Sequence, residues 1–170
     1  MIPTLTTETL TLRAPKWDDF EAYAAFCASS RTALLGGPFG RSDAFQKLSA
    51  LIGHWHLRGF VRGMVAYRET DEPLGVVGLF YPESWPEPEL AWSLFEGAEG
   101  RSIAYAAACA ARGYAYDTLG WSTLISAVDP QNIRSVALAK RMGCVPDGTF
   151  KHAVYGDLHL WRHPGPQVRA

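Results

Sequence analysis

The chain has 170 residues, 48% of them apolar and 19% charged. That composition excludes a disordered or fibrous chain and describes one domain able to bury its own core, roughly 70% of the unfolded surface at this size. Sixteen basic against seventeen acidic residues leave a net charge of −1, which argues against nucleic acid or an anionic membrane as the main partner.

Thr9 to Ala14, TLTLRA, alternates Leu10 and Leu12 with polar neighbours and predicts a strand. Asp18, with Glu21 three residues on, resembles a capping box opening a helix whose apolar face is Phe20, Tyr23, Ala24 and Cys27. Leu34 to Gly40, LLGGPFG, is a loop, and a second helix is expected from an N-cap at Ser42 to about Leu57, stopped by Gly59. Met64–Tyr67 and Leu74–Phe80 are separated as in a hairpin. The two prolines of Pro82–Pro88 forbid a central strand there, and Glu89–Phe95 resumes one. After a turn at Gly97–Arg101, Ser102–Tyr116 carries seven alanines at a helical period, and Gly120 ends that helix. A strand over Ser122–Val128, a helix over Asn132–Met142 stopped by Gly143, and a closing hairpin from Val145 through Trp161 complete the domain. Its expected span is 1–163, with 164–170 a frayed tail. The fold class expected is α/β: a single-domain mixed, mostly antiparallel central sheet with helices on both faces.

Charge and cysteine usage sharpen the picture. Residues 1–100 hold eight Lys or Arg against thirteen Asp or Glu, whereas residues 101–141 hold five against two. Between Glu69 and Glu99 stand eight carboxylates and no Lys or Arg, which points to one region for a cation and another for a phosphate-bearing ligand. Two solvated faces would produce the same pattern. Cys27, Cys109 and Cys144 are odd in number, far apart and without a CxxC pair, as in a reducing cytoplasm. The segment MIPTLTTETL has neither a basic n-region nor an apolar run, and no stretch reaches 18 apolar residues, so neither a signal peptide nor a membrane span is expected. His54, His56, His152, His159 and His163 lack helical i, i+4 partners, so no metal site is expected. Cys109 reads as a small core residue, and Trp85, between acidic residues in the Pro-rich loop, as a wall of an acceptor pocket.

Glu99–Ala104, EGRSIA, presents unpaired backbone N–H groups at the positive end of the alanine-rich helix, where a phosphate fits and Arg101 adds charge. Every helix start shares that property. The segment Leu119–Cys144, LGWSTLISAVDPQNIRSVALAKRMGC, is far more specific. It closely resembles the C-terminal half of the GNAT superfamily of N-acetyltransferases, nearest to the branch of the ribosomal-protein-alanine N-acetyltransferases. The matching residues are Val128, Asp129, Pro130, Asn132, Ser135, Lys140 and Met142-Gly143, with Cys144 where the family has an aromatic. ETLTLRAP, LRGFVRGMVAY, LGVVGLF and ELAW extend the resemblance over roughly residues 8 to 162.

The resemblance implies acetyl-coenzyme A as cofactor and direct attack of a neutral primary amine on the thioester within a ternary complex. It places the cofactor against Gly100, Arg101, Ser102, Ile103 and Ala104, with Asn132 on the pantetheine arm. The loop departs from the family pattern, since Glu99 replaces a basic or amide residue and Ser102 the middle glycine, where φ > 0 would be strained. An ammonium must lose its proton and a leaving thiolate must gain one. Glu89 at the strand start is the base implied, acting through water, and Ser135 the proton donor. An exposed strand end accounts equally for Glu89, N-capping alone accounts for Asn132, and Ser135 stands where a first-turn polar residue is unremarkable. The acceptor implied is a peptide N-terminus or a small cationic amine drawn by the acidic stretch. The rival readings are a polyamine- or antibiotic-type acetyltransferase and a non-catalytic acyl-coenzyme A-binding module.

Overall fold

A computed structural model describes residues 1–166. Eight strands form one sheet in the order β1-β2-β3-β4-β5-β6-β8-β7. They are β1 (Leu5–Thr6), β2 (Leu10–Arg13), β3 (Arg62–Tyr67), β4 (Pro73–Phe80), β5 (Glu89–Leu94), β6 (Ile125–Val128), β7 (Val145–His152) and β8 (Gly156–Arg162). Every pairing is antiparallel except β5 with β6, which are parallel and registered at a single pair, Glu89 opposite Ile125. The expected mixed, mostly antiparallel sheet is present, and its one parallel junction is where it parts.

The apolar runs of β3 and β4 are buried on both faces, so their side chains feed two cores in alternation. Val65 and Val77 face α3 (Ile103–Gly113), whose Ala107, Ala108 and Ala111 carry only a methyl and so let the helix axis lie close to the sheet. Ala139 of α4 (Ile133–Arg141) joins that side. Met64 and Val76 face α1 (Phe20–Ala28) and α2 (Arg41–Arg58), which bring Phe20, Tyr23, Ala24, Cys27, Ala44, Leu48 and Leu51. The face forecast for α1 is thus the buried one, and Cys27 is packing. Helices therefore cover both faces, and no helix among the described residues is long and apolar enough to cross a membrane.

Local details correct the sequence reading at three points. The N-cap of α2 is Gly40, with Ser42 inside the first turn, although Gly59 ends the helix in the left-handed region at φ 80 as expected. The carboxylate that reaches back at the start of α1 is Asp19, accepting the Lys16 N–H at 2.8 Å, and not the Asp18–Glu21 pair. Glu21 instead meets Arg41 on the surface. Of the tail, Pro164 is tied down by the Tyr116 hydroxyl at 2.9 Å, and residues 167–170 lie outside the described residues.

Asp19 is fully buried and accepts both terminal nitrogens of Arg13 at 2.8 Å, in a bidentate pair that pins α1 to β2. Removing Asp19 leaves the mostly buried Arg13 with only the half-exposed Asp71 and takes the acceptor from the Lys16 N–H. Asp19→Ala should therefore lower the unfolding free energy by about 3–5 kcal/mol, whereas Arg41→Ala, which breaks an exposed pair, should change it by less than about 1 kcal/mol. Guanidinium titration of both variants checks the contrast.

Candidate active site

Because β5 and β6 share only one registered pair, a cleft opens between them and two cavities meet there. One, of about 580 Å³, lies on the α1/α2 side and contains Glu89; the other, of about 760 Å³, runs along the start of α3 and α4. Trp92, Ser93, Asn132 and Ser135 line both.

In the larger cavity, Gly100, Ser102, Ile103 and Ala104, four of the residues expected to meet the cofactor, are lining residues. Among the described residues the N–H groups of Ser102, Ile103, Ala104 and Tyr105 donate no hydrogen bond, since the first helical bond of α3 runs from Ala106 to Ser102 O at 3.0 Å. A Cβ built on Gly100, at φ 72, would meet nothing within 4 Å, so the turn leaves open space for a phosphate. Arg31, Arg134 and Arg141 supply the positive charge. Arg101 does not: it bonds the Tyr67 hydroxyl at 3.0 Å and is absent from the cavity wall. Glu99, the misfit in the loop, is paired with Arg31 and, at 2.5 Å, with Arg134, and these pairs outweigh its partial burial and hold its carboxyl below the usual range. Ser102 sits at φ 57, ψ 15, and accepts a hydrogen bond from Arg141 at 3.0 Å.

Glu89 begins β5 with 4% of its surface exposed. Its Oε2 accepts the Ala127 N–H at 2.9 Å across the cleft. Burial pushes its pKa up to about 7, against the opposing effects of that N–H, the Arg62 charge and the nearby Trp85 indole, whose N–H has no hydrogen-bond partner. The other titratable groups in the smaller cavity are less suited to accept a proton. His54 has both nitrogens occupied, by Phe60 O at 2.7 Å and Tyr81 N at 3.0 Å, and burial pushes the Tyr23 hydroxyl up to about 12. Asp129 accepts the Gln131 N–H at 2.8 Å. Asn132 caps α4, its side chain accepting Ser135 N–H at 3.1 Å. Ser135 Oγ accepts the Trp92 indole N–H at 3.1 Å, and because indole only donates, the serine keeps its own hydrogen to give.

Two further residues escaped the sequence reading. His163 is buried, its Nε2 lies 2.9 Å from Ser126 Oγ, and Ser126 Oγ lies 2.5 Å from Leu90 O. Arg112 faces His163 Nδ1 at 3.4 Å, so the imidazole proton belongs on Nε2 and the chain of donors runs Arg112, His163, Ser126, Leu90 O. Burial and the neighbouring arginines push His163 down to about 3, so the ring is neutral. No spacing in the sequence pairs positions 126 and 163; only the β6–β8 register brings them together.

The acidic block does not converge on either cavity. Glu83 pairs with Arg58, Glu87 with Arg162, and Asp71 with Arg13 and Lys16, which leaves Glu89 as its one member in the smaller cavity.

The family model of the GNAT acetyltransferase domain matches residues 9–145. The chain belongs to the GNAT acetyltransferase family. It is similar to an acetyltransferase from Agrobacterium tumefaciens str. C58, at 40% identity over 96% of this chain and 95% of that one, with a TM-score of 0.87. It shares its fold with the ribosomal L7/L12 alpha-N-protein acetyltransferase RimL in complex with coenzyme A (18% identity, 95% and 97% covered, TM-score 0.76). The same holds for a ribosomal-protein-S5-alanine acetyltransferase from Vibrio fischeri (16%, 99% and 100%, 0.73). No curated protein sequence matches the chain. As a GNAT acetyltransferase the protein is an N-acyltransferase that uses acetyl-coenzyme A and acts on an amine acceptor. The cavity at the α3 start, with its unpaired N–H groups and three arginines, fits that cofactor.

Two outcomes follow for this GNAT domain. Glu89 holds a proton in the folded state that it releases when unfolded, so its stabilising contribution is present below its ordinary value of 4.5 and lost as pH rises through about 7. Glu89→Gln should remove that loss, making the variant more stable than the parent at pH 8 by about 3 kcal/mol and close to it at pH 4.5. Melting curves across pH test it. Ser102→Gly, which relieves a left-handed serine, should stabilise by about 1 kcal/mol in chemical denaturation.

Proposed function

We propose that the protein transfers the acetyl group of acetyl-coenzyme A to a primary amine held in the Glu89 cavity, by direct attack in a ternary complex. The observation that carries this reading is the meeting of the two cavities at Trp92, Ser93, Asn132 and Ser135, between a buried carboxyl on one side and an anion-binding helix start on the other. The cofactor supplies the acetyl thioester. The N–H groups of Ile103, Ala104 and Tyr105, with Arg31, Arg134 and Arg141, would hold its phosphates, and Asn132 would border its arm. Glu89, with a pKa of about 7, takes the ammonium proton, directly or through a water. Ser135, whose oxygen already accepts from Trp92, would give its hydrogen to the leaving sulfur and regain one from the acceptor nitrogen, which sheds its second proton as the amide forms. The cavity, of about 580 Å³ and lined in part by Tyr23, Phe26, Trp85 and Tyr155, favours a small amine over a protein N-terminus as acceptor. The unpaired Cys27, Cys109 and Cys144 support a cytoplasmic setting.

Three substitutions separate the roles. Glu89→Gln should lower kcat by about 10²- to 10⁴-fold and abolish the rise of rate with pH near 7. Ser135→Ala should lower kcat while leaving acetyl-coenzyme A affinity unchanged. Asn132→Ala should cost about 1 kcal/mol of stability and raise the KM for acetyl-coenzyme A. Steady-state kinetics and calorimetric titration decide, and wild-type turnover in both Glu89→Gln and Ser135→Ala would leave these residues with structural roles alone.

A further inference from the structure

Arg62 is the one arginine among the described residues whose side chain makes neither a hydrogen bond nor an ion pair. It is half-buried, its Nε is fully enclosed without a partner, and its guanidinium lies 4.2 Å from the Phe80 ring centroid. It lines the Glu89 cavity and not the groove at the α3 start. A guanidinium carries five N–H donors, and enclosed donors without acceptors are unfavourable by more than an ordinary hydrogen bond contributes. An arginine placed so is short of an anion.

The register says where that anion would sit. Arg62 stands opposite Gly78, and Glu89 opposite Phe80, two residues along the same strand and on the same face of the sheet. Strand spacing puts their Cα atoms about 12 Å apart, and the Arg62 guanidinium lies over the ring of Phe80, the cross-strand neighbour of Glu89. Guanidinium and carboxyl thus open onto one cavity, where a single molecule that carries both an amine and an anionic group can meet both. Phe26, Leu51, Trp85 and Leu158, with the rings of Tyr23 and Tyr155, form an apolar part of the remaining wall, and Asp129 and Asn132 are among its polar members. Lys47, the other cation in the wall, lies over the Phe39 ring at 4.0 Å and also has no carboxylate partner among the described residues.

We infer that the acceptor is a small amino acid-like molecule with a large apolar side chain, its carboxylate bound by Arg62 and its amine presented to Glu89. The inference rests on the acetyl-transfer reading and narrows its acceptor. Guanidinium and carboxylate match in a planar, two-bond geometry, which an ammonium in place of Arg62 would not reproduce. A polyamine finds in this cavity two cations, Lys47 and Arg62, that offset the cavity's two carboxyls, Glu89 and Asp129, and a peptide N-terminus has no carboxylate beside its amine.

The test uses phenylalanine, 2-phenylethylamine, phenylalanine amide, spermine and an alanine-initiated peptide as probes on the full chain with acetyl-coenzyme A. Phenylalanine should exceed 2-phenylethylamine and phenylalanine amide in kcat/KM by about 10- to 100-fold, as expected for a charge-assisted pair. That ratio should collapse toward one in Arg62→Met and be partly kept in Arg62→Lys. Taking the ratio at one pH cancels any effect of Arg62 on the Glu89 carboxyl. Binding is followed in parallel by thermal shift, which needs no turnover. Discrimination in binding without acetylation of any probe would uphold the acceptor class and overturn the transfer chemistry. Acetylation in which 2-phenylethylamine, spermine or the peptide equals phenylalanine would overturn the acceptor class and leave the chemistry standing. If no probe is either bound or acetylated, both fall.

Discussion

The parting of β5 and β6 is the constraint on which the rest of this molecule depends. Parallel neighbours usually share several ladder bonds; these two share one registered pair, and side chains hold the junction instead. Glu89 reaches across to Ala127 N, and Ser126 reaches back to Leu90 O. Ser126 is in turn set by His163, and His163 faces Arg112 of α3, which also donates to Met142 O beyond the end of α4. The cleft is therefore neither loose nor closed. It is held at a fixed width by groups that include the proposed base itself, so the geometry of the site and the integrity of the sheet are one problem.

The cofactor side shows how long-range pairing corrects what a loop lacks. Within Glu99–Ala104 the only cation is Arg101, and it turns to Tyr67. The acidic Glu99 would repel a pyrophosphate if left alone. Arg31, from the segment after α1, and Arg134, on α4, both take its Oε1, and Arg141 bonds Ser102. Three guanidinium groups against one carboxylate leave the mouth of the helix positive. The serine that replaces glycine keeps the left-handed turn at some conformational cost and gains a bond to Arg141.

This explains which parts were legible in the sequence. Strand and helix positions followed from local periods, since Met64/Val65 and Val76/Val77 are consecutive apolar pairs that only a two-faced sheet can bury. Asn132 as a cap and Ser135 beside the cleft were readable because a specific motif fixes them relative to β6 and α4, and Glu89 because ELAW opens β5. The acidic stretch misled, because charge counted along a chain ignores partners such as Arg58 and Arg162 that the fold brings from 25 and 75 residues away. Arg62 and His163 left no local trace at all. Their significance lies in what does or does not stand opposite them, and that is a property of register.

Burial also bears on how a neutral amine can arise beside Glu89. A lysine-like ammonium, with an ordinary pKa near 10.4, would lose about three units in passing its proton to a carboxyl at about 7, whereas an α-amine near 8 loses about one. The same apolar walls that raise Glu89 disfavour an ammonium and so lower its pKa. Both shifts move the pair toward a neutral acid and a neutral amine, the state in which nitrogen has a lone pair to attack with. Arg62 pulls the other way, holding Glu89 lower than burial alone would. A bound carboxylate would neutralise that pull and raise Glu89 further as a proton acceptor. An anionic group on the acceptor would then do two things at once: satisfy a guanidinium that has no partner among the described residues, and improve the proton transfer that its own amine requires.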